Sequence, residues 1–334
     1  MTPPSIVFVA HFDDGQNAHS AQIVRALERL GADVTPFDLS KKPGLLGRLT
    51  GADLDKRLAK TIAEAEATLV LVSGGYELDE SAVVLLRSTR SAVWVNWFPD
   101  DIGSIDQITK LAPAYDHVFA TGSDVARAME DSLGRTIPVL PHAADPSVYR
   151  PVKSRDQYRA NVVFAGDPTP AREAYLSGLV EFGLALWGPG WRQTSLRDYC
   201  RGEFRTTPEY AKAYAGATVA VNVHRDLPLV AADARAGCNR RVFELAALGV
   251  AQAVDERSDL ARWFEPGRHL ITYRSPEDLR IEAERLLHDP PRAEAMAAEA
   301  RAEMLAKHTY MHRVRDLLDQ VGVEVPKAAA NGRA

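Results

Sequence analysis

The chain has 334 residues, 46% of them hydrophobic, and a formal net charge of −5 at pH 7. That much apolar material is enough for two compact domains, and the acidic balance argues against a general nucleic-acid-binding protein. No apolar run approaches the length of a membrane span, and the N-terminus lacks the charged-then-apolar layout of a signal peptide. With only Cys200 and Cys238 present, we expect a cytoplasmic protein with reduced thiols.

Short β-branched or aromatic runs alternate along the chain with segments of helical periodicity. This alternation is typical of βα units that form parallel sheets covered on both faces, so the predicted fold class is α/β. The helix predicted over residues 18–30 repeats apolar residues at helical spacing and ends before Gly31. Strands are predicted near residues 5–10, 33–38, 68–73, 92–97, 117–121 and 138–141, and in the second half near residues 161–165, 184–187, 219–223, 251–254 and 269–272.

Residues 141–159, PHAADPSVYRPVKSRDQYR, contain three prolines and several charges without any periodicity, which favours a crossing between two domains. Ligands of α/β sheets bind outside the carboxyl ends of the strands, so we expect function in strand-end loops that face a cleft between the domains. The predicted parts are an N-terminal domain over 1–142, a linker over 143–159, a C-terminal domain over 160–305, a C-terminal helix over 306–322 that packs back toward the N-terminal domain, and a disordered tail over 323–334.

The stretch AGCNRRVFELAALG, residues 236–249, places two arginines at a predicted helix start. Arg240 could pair with Glu244 one turn later, but such a pair contributes at most about 0.5 kcal/mol, and an arginine in the first turn opposes the helix dipole. A bound phosphate would reverse this balance, because the N–H groups of a helix start and a guanidinium together form an anion site. The sequence therefore favours a phosphate site at Asn239, Arg240 and Arg241 over a surface ion pair, with Glu244 able to accept hydrogen bonds from an attached ribose.

The run NRRVFELAALGVAQAVD, with LARWFEPGRHLITYRSPEDLRIEAERLLHDP and HTYMHRVRDLL after it, resembles the C-terminal nucleotide-sugar-binding domain of GT-B glycosyltransferases, most closely the CgeB-like (spore maturation protein) group. The resemblance implies two Rossmann-like doubly wound domains facing a central cleft, with a C-terminal helical segment. It also implies metal-independent transfer of a sugar from a UDP- or GDP-type nucleoside diphosphate sugar to an acceptor, with no cofactor. By the same resemblance Arg240 and Arg241 face the diphosphate and Glu244 holds the ribose.

Three strand ends of the second half carry further candidates for the donor site. Gly166, in VVFAGD, would let backbone amides approach a phosphate, or it is a simple turn glycine. Trp187, in LWGPGW, could stack on a base, but core packing explains it at least as well. His224 and Arg225, in VNVHRD, could reach sugar or phosphate, with a solvated loop as the alternative.

The first predicted strand runs into HFDDGQNAHS, where Asp13, Gly15 and His19 lie on a loop and a helix start. The segment is similar to the His-Pro-Asp-Asp-Glu signature of zinc-dependent deacetylases of the PIG-L type, but Phe12 replaces the proline and Gly15 the glutamate. Zinc hydrolysis also needs a third protein ligand and a water-activating acid. We therefore expect no metal site, and in the GT-B interpretation Gly15 is a close-approach glycine near the donor sugar.

The fourth predicted strand ends in WVNWFPDD and delivers Asp100 to the expected cleft. An aspartate there could accept the proton of an acceptor hydroxyl, which is general-base catalysis worth about 10²–10⁴-fold in rate. A helix cap is the alternative, since Asp101 precedes the predicted helix start at Gly103-Ser104. If transfer inverts the anomeric carbon, Asp100, Asp13 or His19 must serve as the base, and if it retains, the donor phosphate can take the proton.

Three other functions stay open at the level of the sequence. One is an enzyme of the same fold that acts on the sugar nucleotide itself, an epimerase or a hydrolase. Another is a non-catalytic protein that binds sugar nucleotides, which would tolerate alanine at Asp100 and Asp13. The third is the zinc deacetylase, which depends on metal binding by the segment around Asp13.

Overall fold

The computed structural model describes residues 2–12, 18–41, 54–89, 91–100, 102–204, 207–225 and 236–326. The chain divides into two compact units, one formed by Met1–Pro141 with Tyr310–Ala334 and the other by His142–Thr309. The segment predicted as a linker, residues 143–159, belongs to the second unit. Each unit has its own parallel sheet, and we describe each by itself.

The first unit contains a five-stranded sheet in which every neighbouring pair is parallel. Its central strands are continuous apolar runs such as LVLVS, because strands of a parallel sheet are buried on both faces. The strands are β1 (Ser5–Ala10), β2 (Asp33–Asp38), β3 (Leu69–Ser73), β4 (Val93–Phe98) and β5 (His117–Ala120), in the order β2-β1-β3-β4-β5. The helices are α1 (Ala18–Arg29), α2 (Leu54–Glu64), α3 (Glu80–Ser88), α4 (Ile105–Leu111) and α5 (Ser123–Leu133).

The second unit contains a six-stranded sheet, again with parallel neighbours. Its strands are β6 (Ala160–Ala165), β7 (Leu184–Trp187), β8 (Cys200–Gly202), β9 (Ala217–Asn222), β10 (Ala251–Asp255) and β11 (Ile271–Tyr273), in the order β11-β10-β9-β6-β7-β8. Its helices are α6 (Pro170–Ser177), α7 (Thr207–Ala215), α8 (Arg240–Leu248), α9 (Leu260–Trp263), α10 (Pro276–His288) and α11 (Pro290–Lys307). Among the described residues, no helix is long and apolar enough to cross a membrane.

The last helix, α12 (Tyr310–Gln320), belongs to the first unit and packs against α1. Its apolar face is buried, with Val314, Leu317 and Leu318 fully covered. Arg313 fixes the helix further, because its Nε donates to the carbonyl of Pro141 at 3.1 Å. Helix α12 therefore completes the core of the first unit, to which α1 also belongs.

The predicted parallel α/β fold is confirmed, and the strand predicted over residues 184–187 begins and ends at the predicted positions. The strand predicted near 138–141 is wrong. That segment forms only an isolated bridge between Val139 and Ala120, because the prolines at both its ends have no N–H to donate to a ladder. The structure also contains Cys200–Gly202, an edge strand of three residues that is too short to show a period-two pattern.

Candidate functional site

Two neighbouring strand ends and one helix start meet in the second unit. β6 ends at Ala165 and β9 ends at Asn222, and these two strands pair in the sheet. Arg241, in the first turn of α8, joins them: its Nη2 donates to the Ala165 carbonyl at 2.7 Å and its Nη1 donates to Asn222 Oδ1 at 3.1 Å. The predicted phosphate-site helix thus begins at the carboxyl edge of the sheet, where α/β proteins bind ligands.

A second arginine shares this edge. The guanidinium carbons of Arg172 and Arg241 each lie 5.2 Å from the centroid of the Phe164 ring. Arg172 is 7% exposed and donates to two carbonyls, Asp167 at 2.8 Å and Val223 at 3.2 Å. Both arginines are thus held by backbone acceptors and by one aromatic ring, a contact type that attracts cations.

Positive charge accumulates at this point among the residues that the structure describes. Burial, together with the charges of Arg241 and Arg225, lowers the pKa of Arg172 to about 10 against the opposing effects of Tyr214 and Asp167. Arg225 itself is exposed, three residues beyond the end of β9. We call Arg172, Arg225 and Arg241 the arginine cluster. Its members repel one another, and an anion bound among them would relieve that repulsion.

Glu244 lies one turn beyond the helix start and is 8% exposed. Its Oε1 accepts a hydrogen bond from the Tyr149 hydroxyl at 3.0 Å and its Oε2 accepts one from the Tyr210 hydroxyl at 2.8 Å. Burial and the Glu244 charge together raise the pKa of Tyr210 well above its usual value, which keeps the hydroxyl protonated as a donor. Burial alone would lower the pKa of Arg241, but Tyr214, Tyr210 and Glu244 hold it above the usual value. The role of Glu244 toward a ribose stays a prediction.

Gly166 brings the turn after β6 against the arginine cluster. Its φ is +154°, and a Cβ at this position would lie 3.0 Å from Arg241 Nη2 and 3.2 Å from the Phe164 ring. The turn after β7 also approaches Gly166 closely, because a Cβ on Gly188 would lie 2.5 Å from the Gly166 carbonyl oxygen. Trp191 fixes the turn, since its Nε1 donates to that same oxygen at 2.7 Å. Glycine is therefore required at 166 for close approach by the arginine, which goes beyond a simple turn.

The tryptophans after β7 pack within the unit. Trp191 is fully buried and meets Phe164 edge to face at 5.8 Å. Trp187 is partly buried, and its ring centroid lies 5.3 Å from that of Tyr158. Its backbone carbonyl accepts a hydrogen bond from the Gly166 N–H at 2.8 Å. These contacts account for both side chains by packing, and stacking of Trp187 on a base stays a prediction.

A hydrogen-bonded chain ties the helix start to β10. The backbone N–H of Asn239 donates to His224 Nε2 at 2.9 Å, and His224 Nδ1 lies 2.6 Å from Asp255 Oδ1. Arg257 donates from Nε and Nη2 to Asp255 Oδ2, at 2.9 and 2.5 Å. Burial would raise the pKa of Asp255, but His224 and Arg257 hold it well below its usual range. Both ring nitrogens of His224 are therefore engaged within the protein.

The side chains of Asn239 and Asn222 form a reciprocal amide pair. Each Nδ2 donates to the other Oδ1, at 2.9 and 3.0 Å. Asn222 Oδ1 also accepts from Arg241, as described above, and the Asn222 carbonyl accepts from the Tyr273 hydroxyl at 2.8 Å. Asn239 is the residue that precedes α8, so the amide pair fixes where the helix begins relative to β9. Arg240, the first residue of α8, is partly buried.

In the first unit, polar side chains follow three neighbouring strands. Asp100, two residues beyond the end of β4, is partly buried, and its Oδ2 accepts from the Tyr76 hydroxyl at 2.6 Å. His11, just after β1, has its Nε2 2.7 Å from Oε1 of Glu77, beyond β3. Asp13 and Gly15 lie outside the described residues. Asp100 as a general base stays a prediction.

His19 lies on α1 and is 7% exposed. Its Nδ1 is 2.6 Å from the Tyr310 hydroxyl on α12, and its ring meets the Trp97 ring at 6.3 Å. These contacts join α1 to the closing helix and give His19 a packing role within the first unit. A catalytic role for His19 is a separate prediction that the structure does not need in order to explain the residue.

The later histidines have structural contacts as well. His308 is buried, its Nε2 lies 2.8 Å from the Trp263 carbonyl oxygen, and its ring packs on Phe264 at 5.2 Å. Within the ranges that the structure describes, no three histidine, cysteine, aspartate or glutamate side chains are grouped so as to hold a metal ion. Asp13, the centre of the deacetylase-like segment, is not in those ranges.

Sequence reasoning missed several residues of this site. Asp255 directly follows the strand predicted over residues 251–254 and ends the observed strand, and a carboxylate after a predicted strand is the same signal that singled out Asp100. Arg172 follows Thr169-Pro170, a helix-start signature, so it could have been found as a second arginine near a strand end. Tyr210 lies inside a helix whose apolar and polar residues are not clearly separated onto two faces. The sequence therefore carries no signal that the Tyr210 hydroxyl contacts Glu244.

Comparison with known proteins adds to this geometry. Residues 171–319 match the family model described as glycosyl transferase-like. Sucrose-phosphate synthase from Thermosynechococcus elongatus matches with a TM-score of 0.69 and 14% identity, over 96% of this chain and 99% of that one. The chain has the GT-B fold. HepE from Anabaena, solved in complex with UDP and glucose, shares this fold with a TM-score of 0.69 and 14% identity, over 96% and 99% of the two chains.

A glycosyltransferase from Rickettsia africae shares the GT-B fold too, with a TM-score of 0.66 and 9% identity over 96% of this chain and 98% of that one. A search of curated protein sequences gives no match. Identities this low establish the fold, and the match to the glycosyl transferase-like model covers residues 171–319. That stretch contains Arg172, Glu244 and the start of α8, so the site and the family match coincide on the chain.

Proposed function

We propose that this GT-B protein is a glycosyltransferase of the CgeB-like type that moves a sugar from a UDP- or GDP-type nucleoside diphosphate sugar to an acceptor. The arginine cluster at the ends of β6 and β9 is the observation that carries the proposal. It lies in the glycosyl transferase-like domain, next to the start of α8. HepE, which has the same fold, was solved with UDP-glucose, and this makes uridine nucleotides the first donors to test.

The chemistry of transfer explains the need for such a cluster. As the bond from the anomeric carbon to the donor oxygen breaks, its electron pair leaves with the diphosphate, which gains negative charge. Arg241 and Arg172 carry fixed positive charges in a partly buried place, so they stabilise the departing diphosphate more than the bound donor. Because these arginines supply the positive charge, we propose that transfer is metal-independent. The rate of transfer should then be the same in the presence of a metal chelator.

Glu244 is the residue we assign to the donor ribose. Its two oxygens each accept one tyrosine hydrogen bond, and a carboxylate has about four acceptor positions, so lone pairs remain for ribose hydroxyls. Tyr149 and Tyr210 then hold the carboxylate in a fixed orientation. The buried Glu244 carboxylate therefore has hydrogen-bond donors both before and after the nucleotide binds.

On the acceptor side we assign the general base to Asp100. In an inverting reaction the acceptor hydroxyl gives its proton to the carboxylate while its oxygen attacks the anomeric carbon. The Tyr76 hydroxyl, 2.6 Å from Oδ2, orients the carboxylate that takes the proton. In a retaining reaction the leaving phosphate takes the proton instead, and Asp100 is then dispensable.

The experiment is a thermal-shift screen of UDP, GDP and ADP and of their glucose conjugates. A nucleotide at 100 times its Kd stabilises the folded chain by about 2.7 kcal/mol, so a true donor produces a clear rise in Tm. We expect one base to stand out, and Arg241→Ala to remove its effect. Product analysis with and without added acceptors then separates transfer from epimerisation and hydrolysis. A flat screen with all six compounds would contradict the proposed function.

A further inference from the structure

His224 connects two parts of the second unit that the donor site needs to hold together. It follows β9 and is 9% exposed. On one side its Nδ1 and its own backbone N–H both meet Asp255 Oδ1, at 2.6 and 2.9 Å. On the other side its Nε2 lies 2.9 Å from the backbone nitrogen of Asn239. An imidazole thus bridges the end of β10 and the residue before α8.

These contacts determine the protonation of the ring. A backbone N–H can only donate, so Nε2 must carry a lone pair and no proton. A carboxylate can only accept, so Nδ1 must carry the proton toward Asp255. The geometry of Asn239, His224 and Asp255 therefore requires the neutral imidazole with its proton on Nδ1. An imidazolium would place an N–H donor against the N–H of Asn239, and that hydrogen bond would be lost.

The hydrogen bond between His224 and Asn239 is connected to Arg241 of the arginine cluster through two further sets of hydrogen bonds. The Asn239 side chain pairs with Asn222, and Asn222 Oδ1 also accepts from Arg241 Nη1 at 3.1 Å. Arg241 follows Asn239 by two residues in the first turn of α8. A shift of the Asn239 backbone therefore moves both the origin of the helix and the acceptor that orients Arg241.

We propose that His224 is a positioning residue that acts only as the neutral imidazole, holding the start of α8 and the Arg241 guanidinium in place for the donor diphosphate, so that its protonation weakens nucleotide binding. The proposal rests on the proposed function, since it concerns the same site. It assigns His224 a role away from the ligand, in contrast to the direct contact with sugar or phosphate that the sequence suggested.

The charged groups that face His224 come from each neighbouring element. Asp255 at the end of β10 favours the protonated form, while Arg257 just beyond it and Arg241 on α8 oppose that form. Burial opposes it most strongly, and the balance lowers the pKa of His224 below its usual value. The imidazole thus stays neutral at pH 7 and gains its second proton only below the ordinary value of 6.5.

The protonation state can be tested in the free protein. In a sample labelled with ¹⁵N-histidine, the two-bond ¹H–¹⁵N spectrum distinguishes the two ring nitrogens, and His224→Gln identifies the signal by its loss. At pH 7.5 we expect a pyridine-type nitrogen at Nε2 and a pyrrole-type nitrogen at Nδ1. The opposite tautomer, or an imidazolium at this pH, would overturn the proposal without any reference to a ligand.

The effect on binding is tested with UDP and GDP as probes, by calorimetry at pH 7.5 and at the lower pH at which the ¹⁵N spectrum shows the His224 imidazolium. The amide oxygen of glutamine reaches about as far as Nε2, so His224→Gln keeps an acceptor for Asn239 but does not titrate. His224→Asn reaches only as far as Nδ1 and loses that acceptor at both pH values. Loss of one such hydrogen bond corresponds to an affinity loss of about 2- to 13-fold. Titration of the nucleotide phosphate is the same for all three proteins and cancels in the comparison.

We expect wild-type affinity to fall between pH 7.5 and that lower pH by several-fold more than that of His224→Gln, and His224→Asn to bind weakly at both. The same pH dependence in wild type and His224→Gln would overturn the positioning role and leave the proposed function standing. Failure of wild type to bind either nucleotide at pH 7.5 would overturn the proposed function and the positioning role together. If His224→Asn does not fold, the wild-type and His224→Gln comparison decides the question alone.

Discussion

Arg172 and Arg241 lie at the same distance, 5.2 Å, from the centroid of one ring, that of Phe164. Two cations beside the same aromatic ring repel each other, and the ring attracts each of them by only about 0.5–2 kcal/mol. The fold therefore maintains an arrangement that is more favourable with an anion than without one. From this relationship and from the contacts around it we draw five predictions.

Arg241→Ala should weaken UDP binding by about 10- to 100-fold, because a charge-assisted hydrogen bond contributes about 1.5–3 kcal/mol. Calorimetry at low and high salt measures the change. Arg285→Ala is the matched control, since Arg285 is an exposed arginine on α10 that pairs with Glu282. Equal affinities for the two variants would show that the diphosphate binds elsewhere.

Gly166→Ala should both destabilise the protein and weaken UDP binding, because the added Cβ would crowd Arg241 Nη2 at 3.0 Å. Gly267→Ala provides the control, as Gly267 has a φ of +86° and no heavy atom within 4 Å of an added Cβ among the described residues. Each substitution carries a backbone penalty of about 1–2 kcal/mol. Urea unfolding should reveal that penalty in both variants, but only Gly166→Ala should change the Kd. A Kd that is unchanged in Gly166→Ala would contradict the role of close approach at this glycine.

Tyr210→Phe should lower the free energy of unfolding by about 1–3 kcal/mol, because it leaves a buried oxygen of Glu244 without its donor. Tyr175→Phe is the comparison, since its hydroxyl donates to the Arg274 carbonyl in an exposed setting. We expect a loss of less than about 1 kcal/mol there. Equal losses in urea unfolding would mean that the Glu244 oxygen finds another donor.

Acidification should destabilise the wild-type protein in two steps. The folded pKa of His224 lies below its ordinary value of 6.5, so the neutral ring stabilises the fold fully above that pH, and the contribution is lost as the pH falls toward the folded pKa. The folded pKa of Asp255 is likewise depressed, and its contribution is lost only below its ordinary value of 3.8. Unfolding free energies of wild type and His224→Gln, measured from pH 8 to pH 5, should converge as the pH falls. Parallel curves would argue against a neutral His224 in the folded state.

Asp100→Asn should reduce kcat by about 10²–10⁴-fold if the carboxylate is the base of an inverting reaction. The amide still accepts from Tyr76, so UDP affinity and Tm should stay close to those of wild type. Asp106→Asn, on the exposed first turn of α4, is the control for a change of charge near this edge. A wild-type kcat in Asp100→Asn would favour a retaining reaction or a base elsewhere.

Most strands of both sheets could be predicted from the sequence, because a strand that is buried on both faces is a continuous apolar run. LVLVS is typical of a strand that is covered on both faces, and NRRVFELAALG contains a helix start and its glycine end in one stretch. The partners of the site residues leave no such record. Tyr149 and Glu244 are 95 residues apart, and their hydrogen bond depends on how two loops and a helix are arranged in three dimensions. His224 shows this limit most clearly. The sequence predicted its position at a strand end, but not that Asp255 and Asn239 would form hydrogen bonds with its two ring nitrogens.

The return of α12 to the first unit has a consequence for how the protein is made. The second unit is one continuous stretch of chain, whereas the first unit needs both residues near the start and the helix Tyr310–Gln320 near the end. During synthesis from the N-terminus, α1 has no contact with the partner of His19 until Tyr310 has left the ribosome. The second unit, residues 142–309, can therefore fold before the first unit is completed by α12.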